Sequence, residues 1–516
     1  MGRQGDRAAA VALAVGLIAA ASGCGQRGST ATGPVEPYRG VALRVAVLGD
    51  PGLAEAIDDR RGEWERSRGG SVSIDARTEA EADDLDGVDL VVFPGDRLGA
   101  LIDRGALAPL PDSLVAPPEP DDDRDADADA GGLPGEELAY DQVAEPYREQ
   151  VSKYGGERVA LPLGGAALVL VYRASALEGE AIRAEAEAGG VSLDVPETWE
   201  QLDALARFLD GKDWDGDGQA ESGIALALGG DEVDRLGAET FLARASALGL
   251  HRDDFSFLFD PDSMAPRLTS PPFVESLEAL VSLVDSGPEG MAGFDAEAAR
   301  SAFRSGEAAL LIDRADRAST WLEPDDEAEL GVARLPGSPK MFETLRNAYD
   351  EADPPNRPGY LPGGGGWLVG VSASSAAPGA AGDFARYLIE PETASRLRID
   401  PRVPTIPVRT PLIGQGPAQA RDLPGLSSRD WSDAVSKTFL ADRVLVGLRI
   451  PGAREYLADL ARAVASASSG EEAPGDALEA AAGAWDARTD GLGRDRQAWH
   501  YQRSLNAFST ADTPPR

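Results

Sequence analysis

The chain has 516 residues, of which 42% are hydrophobic, and its formal net charge at pH 7 is -39. The length suggests two or three domains with real cores, and the charge argues against a nucleic-acid partner, because phosphate binding needs a basic surface. One cysteine and two histidines, His251 and His500, leave little material for a zinc site or a histidine-based catalytic centre.

The N-terminal residues 1–24 have the features of a lipoprotein signal peptide. Basic residues precede a run of small and apolar residues, 8–21, which is too short to span a bilayer. Small residues then precede Cys24, the position at which a lipoprotein receives its diacylglycerol. Ala21 stands where leucine is usual, so an ordinary secretory signal is the alternative. Residues 25–40, rich in Gly, Ser, Thr and Pro, predict a flexible tether.

The first folded segment alternates strand and helix patterns. Apolar runs predict strands, and apolar residues at helical spacing between charges predict helices. This alternation is typical of a parallel α/β sheet. The predicted elements are strands at 43–48, 71–75 and 89–93 and helices at 53–64 and 97–104.

Residues 111–145 interrupt this alternation. They contain an acidic run, 121–129, flanked by proline and glycine, and such a composition cannot bury a core. We expect a solvated acidic insertion here, and a metal-binding role for it is the weaker alternative.

Regular patterns return after the insertion. Thr198, followed three residues later by Gln201, has the form of a capping box that opens a helix. A run of four glycines, 363–366, leads directly into an apolar strand. The further predictions are strands at 159–163, 167–172, 308–312 and 367–371 and helices at 273–284, 379–388 and 455–465.

An Asp-x-Asp-x-Asp-Gly pattern begins at Asp213 and resembles a calcium loop, in which alternating carboxylates turn inward and glycine allows the sharp turn. The twelfth position is Ile224 instead of glutamate, which excludes a full EF-hand. A plain Asp/Gly turn is the alternative. The candidate ligands of a structural Ca²⁺ are Asp213, Asp215, Asp217, Gln219 and Glu221, and no other cofactor is predicted.

Taken in order, several short segments resemble the extracellular solute-binding proteins of the maltose-binding, family 1 type. The resemblance covers nearly all of residues 41–500. The segments that carry it are 89–98 (DLVVFPGDRL), 105–110 (GALAPL), 158–173, 196–202 (PETWEQL), 301–310 (SAFRSGEAAL), 331–337 (GVARLPG), 365–367 (GGW) and 383–388 (DFARYL).

The resemblance implies an α/β fold of the type II periplasmic binding protein class, with two lobes, a ligand cleft and hinge crossovers. The crossovers are expected near 161–166, 308–313 and 363–367, where glycines can absorb a hinge motion. The implied division is 41–164 with 311–364 for lobe 1, 165–310 with 365–505 for lobe 2, and a disordered tail at 506–516.

Candidate ligand contacts lie at strand ends, where open α/β sheets place their ligands. Asp50 follows the first strand, and the resemblance places Asp96 and Arg97 at a ligand-binding carboxylate-arginine pair. A helix N-cap is the alternative for Asp96, and core packing is the alternative for Trp367, the best aromatic candidate. Weaker candidates are Trp321, Tyr360, Arg409, Trp431 and Tyr456.

Two departures from the family pattern bear on the ligand. Ala166 stands where the family has a carboxylate in the crossing segment, and an aromatic residue expected near 315–316 is absent. A maltodextrin is therefore not required as the ligand.

The resemblance implies a monomeric, extracytoplasmic binding protein, anchored to the membrane through Cys24. It would capture a small solute, such as a sugar or oligosaccharide, and deliver it to the permease of an ABC transporter. A ligand sensor for a membrane receptor is an alternative, because it needs the same cleft. A secreted carbohydrate-active enzyme with paired carboxylates is a weaker alternative, because no motif selects a pair among 88 acidic residues.

Overall fold

The computed structural model describes residues 36–78, 81–82, 84–116, 138–216, 218–230, 234–323, 328–418 and 423–506. Several predictions concern residues outside these ranges. They are the signal peptide with Cys24, residues 25–35 of the tether, 117–137 of the acidic insertion, Asp217, and 507–516 of the tail.

The described residues form α-helices around two mixed sheets. The strands are β1 (Ala42–Leu48), β2 (Ser71–Arg77), β3 (Leu90–Pro94), β4 (Lys153–Tyr154), β5 (Glu157–Arg158), β6 (Leu161–Gly165), β7 (Leu168–Arg173), β8 (Ser222–Ala225), β9 (Ala308–Arg314), β10 (Leu330–Arg334), β11 (Ser338–Glu343), β12 (Ala348–Asn356), β13 (Gly359–Leu361), β14 (Gly366–Val371) and β15 (Val444–Val446). The α-helices are α1 (Pro51–Arg68), α2 (Leu98–Asp103), α3 (Ala174–Glu178), α4 (Glu180–Gly189), α5 (Trp199–Leu209), α6 (Leu236–Gly249), α7 (Pro271–Val281), α8 (Ala296–Arg304), α9 (Pro378–Ile389), α10 (Pro391–Arg398), α11 (Thr410–Ile413), α12 (Ser428–Phe439), α13 (Ala453–Ser468), α14 (Pro474–Leu492) and α15 (Arg494–Ser504).

The first sheet has the strand order β2-β1-β3-β14-β6. Strand β1 is parallel to β2 and β3, and β14 is antiparallel to both β3 and β6. The first four residues of β3 are buried, as expected for a strand that is covered on both faces. Each strand predicted for the first α/β segment, and the helix that follows β1, is present with shifts of a few residues at the ends.

The second sheet has the order β10-β7-β9-β8. Strand β7 is antiparallel to β10 and β9, and β9 is parallel to β8. Smaller ladders pair β11 with β12, β13 with β15, and β4 with β5. No helix among the described residues is long and apolar enough to cross a membrane.

The chain passes between the two sheets at two places that bear on the site. It leaves the first sheet at the end of β6 and enters the second at Leu168, next to the predicted crossing at 161–166. It enters the first sheet again through residues 363–366, which lead into β14. The predicted crossing at 308–313 is wrong, because β9 pairs along its length with β7 and β8 inside the second sheet.

These pairings also correct the predicted lobe division at its returning segments. Strand β10, predicted for lobe 1, pairs with β7, while β14, predicted for lobe 2, pairs with β3. Hydrogen-bonding partners decide which sheet a returning strand joins, and the order of segments along the chain does not reveal them. The division of the rest of the chain into lobes stays a prediction.

Two segments predicted to be flexible or solvated pack against the core at one end. The Tyr38 ring stacks on Trp64 with 5.8 Å between centroids, so the predicted tether ends before residue 40. At the far end of the acidic insertion, Leu138 and Val143 are each only 2% exposed. The predicted capping box is confirmed, since the Thr198 side chain accepts from the Gln201 main-chain N–H and the Gln201 side chain accepts in return.

A candidate ligand cleft between the two sheets

A cavity of about 410 Å³ lies between the strand ends of the first sheet and the helices and strand ends of the second. Most of its lining side chains are charged. The lining from the first-sheet side comprises Asp50, Pro94, Asp96, Pro362, Gly363, Gly366, Trp367 and Pro404. The remaining lining residues are Asp234, Arg235, Leu236, Glu239, Asp295, Ala296, Glu297, Arg300, Arg314, Arg317 and Arg454.

Asp50 and Asp96 reach the cavity because each lies one glycine beyond the end of a strand of the first sheet. The Asp50 Oδ1 caps helix α1, accepting from the Leu53 main-chain N–H at 2.7 Å. No side-chain cap bond is present at the start of α2 or of the turn before it, so the N-cap alternative for Asp96 is not what the structure shows. Trp367, the second residue of β14, is half-buried at the same cavity.

The glycine run lies against the end of β3 at main-chain contact distance. A Cβ on Gly364 would lie 2.4 Å from the main-chain carbon of Gly95, and its φ of +69° is in the left-handed region. Gly366 has φ +114°, and a Cβ there would meet the carbonyl oxygen of Gly164 at 2.4 Å. The run is therefore a packed passage between sheets, in which side chains would clash, instead of a loose surface loop.

Asp96 connects the two sides of the cavity. Its Oδ2 accepts from the Arg235 Nη2 at 3.2 Å and from the Arg454 Nε at 3.0 Å. Its Oδ1 is buried and has no hydrogen-bond partner among the described residues. A carboxylate with one oxygen held by guanidinium groups and the other without a partner keeps the capacity to accept a further hydrogen bond, such as one from a hydroxyl group.

Glu239, on helix α6, fixes the glycine passage from the opposite side. Its Oε1 accepts from the Gly363 main-chain N–H at 2.9 Å, and its Oε2 lies 3.9 Å from the Arg314 Nη1. Burial raises the pKa of Glu239, while the charges of Arg314 and Arg235 act in the opposite direction. The passage into β14 is thus hydrogen-bonded to α6 of the opposing wall.

Arg300 is held in the cavity wall by a buried acid. Asp313, which is 0% exposed, accepts from the Arg300 Nε at 2.8 Å and Nη2 at 3.0 Å. The Trp321 Nε1 donates to the same carboxylate at 2.8 Å. Trp321 therefore supports the wall from behind, and the prediction that it contacts ligand is contradicted by its complete burial.

Of the predicted contacts, the structure brings Asp50, Asp96 and Trp367 together at the cavity. Arg97, at the N-cap of α2, does not line it, and burial together with the charge of Arg454 lowers its pKa to about 10. Tyr360 is 4% exposed and borders a separate small void.

Three other predicted contacts lie in the core with their polar atoms occupied. The Arg409 guanidinium donates to the main-chain carbonyls of Leu138, Ala139 and Ile389. The Trp431 Nε1 donates to a main-chain carbonyl at 3.0 Å, and the Tyr456 hydroxyl pairs with a threonine hydroxyl at 2.8 Å. Arg409, Trp431 and Tyr456 are also at most 2% exposed and none of them lines the cavity, which corrects the prediction for all three.

The sequence interpretation missed Arg235, Glu239, Arg314 and Arg454 as lining residues. One signal was available for Glu239, the one acidic residue of a mostly apolar helix that also carries Arg244, because burying a charge demands a partner. Arg314 is the last residue of an apolar strand, and Asp50 and Asp96 each lie two residues beyond the end of such a strand. Arg235 and Arg454 carry no comparable pattern.

The predicted calcium loop has its carboxylates close together. Single carboxylate oxygens of Asp213, Asp215 and Glu221 all lie within 4.8 Å of one another. Asp213 also accepts from the main-chain N–H groups of Gly216 and Gly218, at 2.7 and 3.1 Å, as a plain Asp/Gly turn would. Gln219 is exposed on the same loop. Calcium binding therefore stays a prediction.

Comparison with known proteins assigns a family and a fold. Residues 64–411 match the family model described as bacterial extracellular solute-binding protein. No match was found among curated proteins.

Solved structures share the fold along nearly the whole chain. An ABC transporter solute-binding protein from Agrobacterium radiobacter K84, in complex with ribitol, is similar with a TM-score of 0.60 and 21% identity, covering 88% of this chain and 100% of its own. The sugar-binding protein MalE from Xanthomonas citri has a TM-score of 0.60 and 16% identity, covering 88% and 99%. A solute-binding protein from Agrobacterium vitis S4, with bound D-mannitol, has a TM-score of 0.55 and 17% identity, covering 88% and 99%.

Proposed function

The chain belongs to the bacterial extracellular solute-binding proteins, a family of binding proteins and not of enzymes, and from this premise we propose that it captures a sugar or polyol for delivery to an ABC transporter permease. The observation that carries the proposal is the cavity between the two sheets. Its volume of about 410 Å³ falls within the ~300–1,000 Å³ typical of small-molecule sites.

The charges of the cavity favour a neutral ligand that is rich in hydroxyl groups. Its lining carries both carboxylates and guanidinium groups, and the guanidinium groups of Arg235, Arg300 and Arg314 are engaged with acids. An anionic ligand would have to compete with these acids for the guanidinium groups. A hydroxyl group, which donates and accepts at once, fits between carboxylates and guanidinium groups. Trp367 offers the one aromatic ring among the lining residues that the structure describes.

The ligands of similar proteins support the same class. The structures that share this fold hold ribitol in one protein and D-mannitol in another, and a third, from Thermotoga lettingae, holds α-D-tagatose. These are small polyhydroxylated molecules, which agrees with a cavity of this size and with the absence of the family's maltodextrin-type carboxylate at Ala166.

A ligand screen tests the proposal. We expect polyols and monosaccharides to raise the melting temperature of the wild type, because a ligand that binds only the folded state stabilises it by about 2.7 kcal/mol at 100 times its Kd. Trp367→Ala should weaken binding about tenfold through the loss of ring contact, whereas Phe255→Ala, at an exposed ring that does not line the cavity, should bind as the wild type does. A screen in which no polyol or sugar shifts the melting temperature would refute the ligand class.

The anchor and the transport role need experiments in cells. We propose that Cys24 carries a lipid that holds the protein beside its permease on the outer side of the cytoplasmic membrane. Cys24→Ser should move the protein from the membrane to the soluble fraction. Deleting the protein should abolish uptake of the radiolabelled ligand; uptake that persists, with loss of a transcriptional response to that ligand, would favour the sensor alternative.

A further inference from the structure

A second concave surface of about 660 Å³ lies outside the cleft and shares no lining residue with it. It is formed where the end of β12 meets the C-terminal end of α12. We call it the basic groove. Its charged lining residues are Arg252, Arg334, Arg357, Lys437, Arg443 and a single acid, Asp442. In a chain of net charge -39, five cations against one acid is a strong local reversal of sign.

The arginines of the basic groove are positioned by main-chain carbonyls. Arg334 and Arg357 each donate to the other's carbonyl oxygen, and Arg357 also donates to Leu335 at 3.1 Å. Arg443 donates to the carbonyl of Leu250 at 3.1 Å and to those of His251 and Asp254. Carbonyl oxygens satisfy the hydrogen-bond geometry, but they carry no net charge, so the positive charges remain uncompensated by these contacts.

Burial makes this arrangement costly in the absence of an anion. It lowers the pKa of Arg334 to about 10, with the charge of Arg357 acting in the same direction, and it lowers the pKa values of Arg357 and Arg443. A pKa moved in this direction means that the surroundings disfavour the charged form. An anion in the groove would offset that penalty for the guanidinium groups that it contacts.

The remaining cationic lining residues, Arg252 and Lys437, lie at the rim of the basic groove. Arg252 is exposed, and Lys437 is exposed and paired with Asp433 at 2.9 Å on its own helix. The nearby acids Glu197, Asp253 and Asp254 act on the pKa values of Arg357 and Arg443 in the direction opposite to burial. Guanidinium groups match phosphate and carboxylate in planar, paired geometry, which sets the class of ligand.

We propose that the basic groove is a second ligand site, separate from the cleft, which binds the phosphate-type or carboxylate-type oxyanion group of an acidic molecule. Such a group can come from a free acidic metabolite or from the headgroup of an anionic phospholipid, and both present the same oxygens to the guanidinium groups.

Titration of the full chain with inorganic pyrophosphate by calorimetry tests the free ligand, and flotation with phosphatidylglycerol vesicles, against phosphatidylcholine vesicles, tests the headgroup. Arg252→Ala with Lys437→Ala removes two exposed charges at the rim and should weaken the interaction about fivefold without affecting folding. The matched control is Arg39→Ala with Arg396→Ala. It removes the same number of positive charges at two exposed positions outside the groove, and it should bind pyrophosphate and vesicles as the wild type does.

If pyrophosphate or the anionic vesicles bind, and the rim variant weakens that binding while the control variant does not, the result supports the site. Which of the two probes binds then identifies the source of the ligand. The rim variant should also bind the cleft ligand with unchanged affinity. No binding of pyrophosphate or of anionic vesicles would overturn the proposal, and so would an equal loss in the control, since that would show only a response to overall charge.

Discussion

Replacing Asp96 with asparagine should destabilise the protein by uncoupling the two sides of the cleft. The Asp96 side chain is 2% exposed and pairs with Arg235 at 3.2 Å and Arg454 at 3.0 Å. Asparagine preserves the shape but not the charge. The guanidinium groups of Arg235 and Arg454 would then lie close together without the anion that holds them.

The magnitude follows from the distances. At 3.2 Å and an effective dielectric of about 20, Coulomb's law gives roughly 5 kcal/mol as the ceiling for the Arg235 pair. Desolvation of a buried carboxylate offsets much of this attraction in the native protein. We therefore expect Asp96→Asn to lower the free energy of unfolding by about 2–4 kcal/mol, because the arginines stay partly buried without their partner.

A double-mutant cycle isolates the pair. Urea unfolding of Asp96→Asn, Arg235→Gln and the double variant should give a coupling energy of about 1–2 kcal/mol. The control cycle uses Asp58 and Arg61 on helix α1, whose side chains are 47% and 35% exposed and should couple by less than about 0.5 kcal/mol. A coupling energy for Asp96 and Arg235 no larger than that of the control would refute the argument that this contact joins the cleft walls.

Three further predictions concern other sites. Burial raises the pKa of Glu390 to about 7, against the charges of Arg386 and Arg68, so the folded state favours the protonated carboxyl. The stability that the protonated carboxyl contributes is complete below the unfolded pKa and is lost as the pH rises through 7. In urea unfolding, the wild type should therefore lose up to about 3 kcal/mol of stability between pH 4.5 and 7.5, and Glu390→Gln should not lose it. Parallel pH profiles for the two proteins would contradict this. Calcium should raise the melting temperature of the wild type but not of Asp213→Asn, with magnesium as the control; an equal response in both would leave the loop an ordinary turn. Arg409→Met leaves three main-chain carbonyls without their donor and should lower the free energy of unfolding by about 3 kcal/mol. The folded variant should bind the cleft ligand with unchanged affinity, and a loss of affinity without a loss of stability would show that Arg409 contacts the ligand.

Where a local pattern decides the structure, the sequence was sufficient. The buried apolar runs of β1, β3, β7 and β9 leave little choice but a covered strand, and the Thr198 capping box depends only on residues within one turn. The same reasoning predicted that Asp50 and Asp96 lie where the cavity is, since the position after a buried strand is a local property with a global consequence in an open α/β sheet.

The errors arose where a distant partner decides. Trp431 and Tyr456 are as suitable for stacking on a sugar as Trp367, and only the packing around them, which the chain order does not disclose, separates core from cleft. The same holds for β10 and β14, whose sheets were exchanged in the predicted lobe division because neither strand specifies its neighbour. The four glycines were understood as a hinge, but their tight contacts with Gly95 and Gly164 appear only once both strands are in place.

Helix α6 connects these observations to ligand binding. Glu239 of this helix holds the main-chain N–H of Gly363, and Arg235, at its N-cap, holds the Oδ2 of Asp96, so both first-sheet elements of the cleft are fixed to one helix. The buried Asp96 Oδ1 has no partner among the described residues, so we expect a ligand hydroxyl that reaches it to donate to it without displacing Arg235 or Arg454. Binding then adds to the contact between the walls instead of competing with it. It follows that Arg235→Gln should reduce stability more than ligand affinity, whereas Asp96→Asn should reduce both.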